Sequence, residues 1–337
     1  MRVVSVILIS YGFHVAIADI RSSAGLVMRV TLRIRDGGQK VDTTYFTAGK
    51  GANDMKLATV RLGGRTTAAL VVAGGYQPLP ARNLSELLAQ PGWKSIIHEA
   101  ATGHCGPTVV PASEVEVLNP MPTPGKVICC GLNYTEHILE MGRDLPDYPT
   151  LFAKFADTLT DPEAPIVADE SLSIDWEAEL AVVVGSRLKD ANEDEAAAAI
   201  AGYTVANDIS MRDWQRRTLQ WFQGKAFDAT TPLGPVLVTT DEIDPEKGLE
   251  VLCSVNGEVL QRGNTSTLVF SAAKLLAYIS TFTVLRPGDV VLTGTPGGVG
   301  MGMVPPRFLK DGDELVTEIP GIGTLRNRIS LRADANL

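Results

Sequence analysis

Short apolar runs rich in β-branched residues, separated by turn chemistry, dominate the chain beyond residue 125: KVICCG, ELAVVVG, GPVLVTT, EVLCSVNGEVL, GDVVLTG and DELVTEI. Runs of this kind bounded by Gly, Pro, Asn or Asp predict strands. Asn256-Gly257 between two alternating runs is a strong hairpin signal, and Pro287-Gly288-Asp289 turns the chain into VVLTG. Helical patterns are fewer, EDEAAAAIAGY at 193–203 and TLVFSAAKLLAYISTFTVL at 267–285. They do not alternate regularly with the strands. That disfavours a doubly wound sheet and predicts a β-rich mixed α/β fold, a roll or barrel with peripheral helices.

Upstream, MKLATVRLGGRTTAALVV at 55–72 alternates and turns at Gly63-Gly64, and NLSELLAQPGW reads as a helix capped by Asn83. These predict a small N-terminal domain over 55–120. The Pro-rich VLNPMPTPGKV suits neither a helix interior nor a central strand, and marks the start of a main domain over 121–337. Residues 1–54 read differently. MRVVSVILISYGFHVAIADI has a basic start, an apolar stretch and an Ala16-Ile17-Ala18 like a signal-peptidase site, but Gly12 and His14 interrupt it. It is short for a membrane span. The reading is an unordered or wrongly assigned extension, with Met28 and Met55 as later starts.

Composition narrows the classes. At 337 residues and 45% hydrophobic content, the chain can bury a sizeable core. A net charge of -9 without a basic stripe excludes general nucleic-acid affinity. The cysteines Cys105, Cys129, Cys130 and Cys253 form no CxxC pair, as expected of free thiols in a reducing compartment, so a cytoplasmic protein without membrane attachment is expected. Adjacent on a strand, Cys129 and Cys130 alternate faces and suit core packing.

Acidic residues in apolar settings carry the candidate chemistry. In SIDWEAELAVVVG, Glu177 and Glu179 share one face of a strand and repel each other, a conflict that a bound divalent cation resolves. Asp208, in GYTVANDISMRDW, ends a second strand. Carboxylate oxygens suit Mg²⁺, with Mn²⁺ or Ca²⁺ as alternatives; zinc fits less well, because no Cys or His lies in these segments. Lys225 has aromatic flanks that would partly bury its ammonium, and Gly224 beside it would allow close approach of a ligand. VLTGTPGGVGMG lacks a P-loop Lys and never completes GxGxxG, so its backbone N–H groups, beside Thr293 and Thr295, suit a carboxylate or carbonyl oxygen. In GLNYTEHILEMG, His137 and Glu140 share a helix face, where a carboxylate can hold an imidazole. Taken singly, each has an ordinary alternative: a solvated strand face, a helix cap, a snorkelling lysine, an exposed ion pair.

Together and in order, GLNYTEHILEMG, LFAKF, IDWEAELAVVVG, IAGYTVANDISMRDWQ, QGKAFDATTPLGPVLVT, VNGEVLQRGNTSTLVFS and LRPGDVVLTGTPGGVG closely resemble the fumarylacetoacetate hydrolase family. The resemblance implies a mixed β-sandwich roll, a homodimer, and a divalent metal held by Glu177, Glu179 and Asp208. It implies Lys225 as the active-site lysine and Thr295 as the threonine of the Gly-Thr-Pro loop. Lys154, Arg212 and Gln215 match positions that line the pocket. His137 and Glu140 match the His-x-x-Glu dyad of the acylpyruvase-like branch.

The implied reaction is hydrolysis of the carbon–carbon bond of an acylpyruvate, such as fumarylpyruvate, to pyruvate and a carboxylic acid in aromatic-compound catabolism. Metal chelation by the 2-oxo acid, water activation by His137 with Glu140, and enolate stabilisation by the metal and Lys225 would share the work. The same parts without water attack give the alternative: keto–enol or double-bond isomerisation of the 2-hydroxyhepta-2,4-diene-1,7-dioate type, or oxaloacetate decarboxylation. A non-catalytic metal-dependent binding protein is the remaining reading, opposed by the intact dyad, lysine and threonine.

Overall fold

The computed structural model describes residues 13–22, 25–34, 55–102, 109–140, 142 and 144–333; for residues 13–34, His137 and Glu140 it describes the backbone element alone. The chain divides into two compact units, Met1–Asp54 and Met55–Leu337. Within the stretch read from sequence as an unordered extension, Phe13–Ser22 and Gly25–Ile34 form an antiparallel hairpin. The remainder of that stretch and Cys105 lie outside the described residues.

The second unit is built on two large sheets, with Ile174–Asp175 and Ser210–Met211 forming a third, two-stranded one. The larger has twelve strands, and its centre runs Lys56–Leu62, Thr231–Thr239, Ile200–Asn207, Ala178–Val184, Val290–Leu292, Val127–Gly131, Thr150–Lys154. Leu57 pairs with Leu237, so residues 55–120 extend the same sheet as residues 121–337. The smaller sheet has five strands, Ile166–Asp169, Gly323–Arg332, Glu314–Ile319, Glu250–Val255 and Glu258–Asn264. Neither sheet closes on itself, so the fold is the expected mixed β-rich α/β type and an open sandwich instead of a barrel.

Two-residue periodicity sorts the core. From Ala178–Val184, Leu180, Val182 and Val184 pack with Val251, Cys253, Leu315, Leu325 and Ile329 of the small sheet. Ala181 and Val183 face the other way, into a core with Leu84, Leu87, Leu88, Trp93 and Ile97 of the helices Leu84–Ala89 and Trp93–Ala101. A strand buried on both faces needs an unbroken apolar run, which AELAVVV supplies. Cys129 joins the helix-side core and Cys130 the core between the sheets. Cys129, Cys130 and Cys253 are buried free thiols, the last pushed up to about 12 chiefly by burial.

Turn chemistry holds where the backbone demands it. Asn256 and Gly257 both have positive φ, 52° and 81°, as a tight hairpin turn needs, and join Val255 to Glu258. Asn83 caps its helix by accepting from the Glu86 N–H, and Ser271 caps Ala272–Phe282. The helix expected over 193–203 stops at Ala198, because Ile200–Asn207 is a fully buried strand paired with Ala178–Val184. Tertiary pairing overrides the alanine run's helix propensity there.

Candidate active site

The residues 177, 179, 181 and 183 share one strand face, and across the ladder Glu179 pairs with Ala206, two residues before Asp208. Where the apolar face ends, the carboxylates begin. One oxygen each from Glu177, Glu179 and Asp208 lies within 4.8 Å of the others. Asn207 fixes the junction: its Oδ1 accepts from the Glu177 N–H at 3.0 Å, its Nδ2 donates to Thr317 Oγ1 at 2.9 Å, and the Asp208 N–H donates to the Glu177 carbonyl at 2.8 Å.

Cations surround the cluster. Lys225, 1% exposed, donates to Glu177 Oε2 at 2.7 Å and to Asp208 Oδ2 at 2.8 Å, over the Phe152 ring at 5.2 Å. Burial alone would lower its pKa, but Asp208 and Glu177 hold it above the ordinary lysine value. The surface-lysine alternative is thereby excluded. Buried Lys154 donates to Asp208 Oδ1. Burial would raise Asp208, but these two ammonium groups hold it below the usual carboxylate range. Among the described residues Glu179 accepts from the Gly294 N–H, at 2.6 Å, and burial together with Asp208 and Glu177 outweighs the Lys225 charge and pushes it well above that range. Glu179 is therefore the carboxylate whose ionised form a cation would favour most. The donor set is all carboxylate oxygen, which fits a hard divalent ion, and the strained ionisation of Glu179 gives the cation a physical reason to bind.

Arg212 is 2% exposed, and its Nε donates to Asp175 Oδ2 at 2.8 Å while Nη1 reaches Glu177 Oε1 at 2.6 Å and Gln215 Oε1 at 2.9 Å. Its buried Nη2 has no partner among the described residues. A cavity of about 500 Å³ opens over the cluster, lined among others by Glu177, Arg212, Gln215, Lys225, Thr295 and Trp221. Lys154, expected to line it, instead lies behind the cluster on Asp208 and is not among the lining residues. A larger cavity of about 940 Å³ between residues 193–203 and 240–274 contains none of these groups.

One local expectation changes. The close approach that Gly224 permits is to protein, since a Cβ there would sit 2.4 Å from the Gln215 backbone nitrogen. His137 and Glu140 lie on the helix Thr135–Glu140, as expected, but their side chains are outside what is described. That helix starts from a fixed point: Asn133 donates to the Phe270 and Thr293 carbonyls and accepts from the Phe270 N–H. Asp175, Asn207 and Gln261 are the site-building residues that sequence reasoning did not single out. Asp175 is fully buried, pairs with Arg212 and accepts from the Gly300 and Met301 N–H groups at 2.7 and 2.9 Å. Both Asp175 and Asn207 sit inside the motifs that drew attention, one place from a chosen acid or two.

Fold and site define a class: an open β sandwich presenting a carboxylate cluster at strand ends and a buried ammonium from a short helix, beside a cavity of about 500 Å³. Residues 126–330 match the family model described as fumarylacetoacetate (FAA) hydrolase C-terminal, and the chain belongs to the fumarylacetoacetate hydrolase family. It is 46% identical over 224 residues, 66% of this chain and 71% of the relative, to a Homo sapiens protein named oxaloacetate tautomerase FAHD2A, mitochondrial. A solved fumarylacetoacetate hydrolase from Exiguobacterium antarcticum superposes with a TM-score of 0.72 at 33% identity, over 82% of this chain and 100% of that one. A 5-carboxymethyl-2-hydroxymuconate delta-isomerase from Mycobacterium smegmatis does so with a TM-score of 0.68 at 31% identity, over the same shares of 82% and 100%.

These relatives belong to an enzyme family, and tautomerase and isomerase names among them favour the isomerisation alternative over acylpyruvate hydrolysis. The human relative's name is mitochondrial, which lends the cytoplasmic expectation no support. No described helix is long and apolar enough to cross a membrane.

Proposed function

We propose that this chain is a divalent-cation-dependent isomerase of small 2-oxo dicarboxylates, interconverting the keto and enol forms of oxaloacetate. The observation that carries the reading is the buried Lys225 ammonium shared between Glu177 and Asp208 at the cavity wall. A fixed positive charge in a dry site stabilises an enolate oxygen without reorganisation, which is the main demand of keto–enol exchange. The relative named oxaloacetate tautomerase supports the choice of substrate.

Glu177, Glu179 and Asp208 would hold the cation, Mg²⁺ being the best match to the donor set, and it would supply Lewis acidity toward the vicinal oxygens of a 2-oxo acid. Lys225, kept protonated by its two carboxylates, offers a proton and a charge to the C2 oxygen. Arg212, whose Nη2 has no partner among the described residues, favours a substrate carrying a second carboxylate. Proton exchange at C3 is assigned to His137, on the helix anchored through Asn133. Acylpyruvate hydrolysis remains the second reading, because the helix Thr135–Glu140 puts positions 137 and 140 on one face, as a water-activating dyad requires.

The test follows the ultraviolet absorbance of enol-oxaloacetate with purified full-length protein, in Mg²⁺ and in chelator, beside parallel assays of acetylpyruvate and fumarylpyruvate cleavage. The expected result is Mg²⁺-dependent acceleration of enol–keto exchange exceeding acylpyruvate turnover. Acylpyruvate cleavage with no effect on oxaloacetate exchange would overturn the tautomerase reading in favour of hydrolysis.

A further inference from the structure

The five-stranded sheet reaches the site through Thr317, which accepts from Asn207, and through Gln261. Gln261, on Glu258–Asn264, is 0% exposed, and its amide joins the strand carrying Glu177 and Glu179 to the Gly-rich loop. Its Oε1 accepts from the Ala178 N–H at 3.0 Å, between Glu177 and Glu179. Its Nε2 donates to the Pro296 carbonyl at 2.9 Å and to Thr295 Oγ1 at 2.8 Å. The strand is shaped for this contact. A bulge shifts the register between Cys253, opposite Gln261, and Ser254, opposite Val259. Bulges of this kind re-aim side chains beside active sites. The Gly-rich loop lies directly on the strand: a Cβ on Gly263 would sit 2.4 Å from Pro296 Cβ, and one on Gly298 would sit 2.0 Å from the Leu260 carbonyl oxygen.

The amide's orientation is not free. A peptide N–H can only donate and a carbonyl can only accept, so Ala178 fixes the oxygen and Pro296 fixes the nitrogen. The second Nε2 hydrogen then goes to Thr295, whose hydroxyl oxygen must accept. A threonine hydroxyl that accepts there still has its own proton to give. Among the described residues no acceptor takes that proton, and Thr295 lines the cavity with Glu177, Arg212 and Lys225.

We infer that Gln261 is a positioning residue: it sets Thr295 as a hydrogen-bond donor toward an anionic oxygen of the bound substrate, and ties that donor to the strand carrying Glu177 and Glu179. The assignment rests on the reading that the cavity takes a 2-oxo acid anion. It makes the site selective for ligands presenting an oxygen acceptor, enolate or carboxylate, at the Thr295 position. Ligands offering a hydroxyl donor there would meet a donor already committed.

The test uses the full chain with saturating Mg²⁺ and oxalate as probe, a dianion with the vicinal oxygens of a pyruvate enolate, titrated by calorimetry. Q261E keeps an acceptor for the Ala178 N–H but replaces the Nε2 donors with an acceptor, so the Thr295 proton turns back from the cavity. Oxalate affinity is expected to fall about 10- to 100-fold in Q261E, the range for losing a hydrogen bond to a charged group. T295V should lose a similar factor, T295S should retain affinity, and Q261E combined with T295V should be no weaker than T295V alone. Mg²⁺ affinity measured without oxalate should not fall, because the Ala178 contact is kept and an added carboxylate beside the acids favours a cation. Equal, additive losses from Q261E with and without T295V would overturn the role, as would a loss of Mg²⁺ affinity that accounts for the whole oxalate effect. If Q261E is poorly folded by circular dichroism, Q261M in the same cycle answers the question with the same criteria. Absence of oxalate binding to the unsubstituted protein would instead refute the 2-oxo acid reading itself, and this role with it.

Discussion

Glu179 carries an ionisation that the protein alone disfavours, with burial and two neighbouring carboxylates against it and the Lys225 charge and one backbone N–H for it. Glu179→Gln keeps an acceptor for Gly294 while removing the charge. In chelator the variant should melt at or above the unsubstituted protein's temperature, whereas the Mg²⁺-induced rise in melting temperature should vanish. Binding at 100 times Kd stabilises by about 2.7 kcal/mol, so the lost shift is readily measured by calorimetry. An unchanged Mg²⁺ shift would remove Glu179 from the ligand set. Lys154 makes the complementary case. Its ammonium is one of two that neutralise fully buried Asp208, and breaking a buried pair from one side costs about 3–5 kcal/mol. Denaturant unfolding of Lys154→Met should show a loss of that size, smaller in Mg²⁺ than in chelator, because a bound cation restores the missing positive charge.

At the scale of elements, the site depends on how closely two short helices approach. Gly224 of Phe222–Lys225 lies against Gln215 of Arg212–Gln215, with no room for a Cβ. Gly224→Ala should therefore cost about 1–3 kcal/mol by overpacking and lower kcat by displacing Lys225 and Arg212 relative to each other, checked by paired melting and enol–keto assays. A full retention of kcat would show that this helix contact does not position the site. The sequence made the acids, Lys225 and Thr295 legible, because charged residues inside apolar strands are conspicuous and their order matches a family pattern. The supports were less legible. Gln261 lies in an ordinary alternating strand, and only the bulge opposite Cys253 and the fold of the Gly-rich loop bring it to Ala178 and Thr295. Lys154 was read as a pocket residue because one position in LFAKF says nothing of which side of Asp208 it approaches. The strand Ile200–Asn207 was partly hidden under an alanine-rich helix signal, which local propensity favours and sheet pairing defeats.

At the scale of the molecule, the core residues described lie in the unit Met55–Leu337. A chain beginning at Met55 should fold cooperatively, with the full-length protein's Mg²⁺ response and enol–keto activity; failure to fold would show that residues 1–54 complete a core. The carboxylate cluster also depends on strand register. Glu177, Glu179 and Asp208 converge because Glu179 stands opposite Ala206, and side chains change face at every residue. A slip of one residue in either strand would turn an acid into the core between the sheets and break the triad at the same stroke. Cation affinity would thus work as a proofreader of assembly: under the proposed metal dependence only chains with the correct ladder gain from the ion, so Mg²⁺ present during refolding should enrich the native pairing over its misregistered competitors.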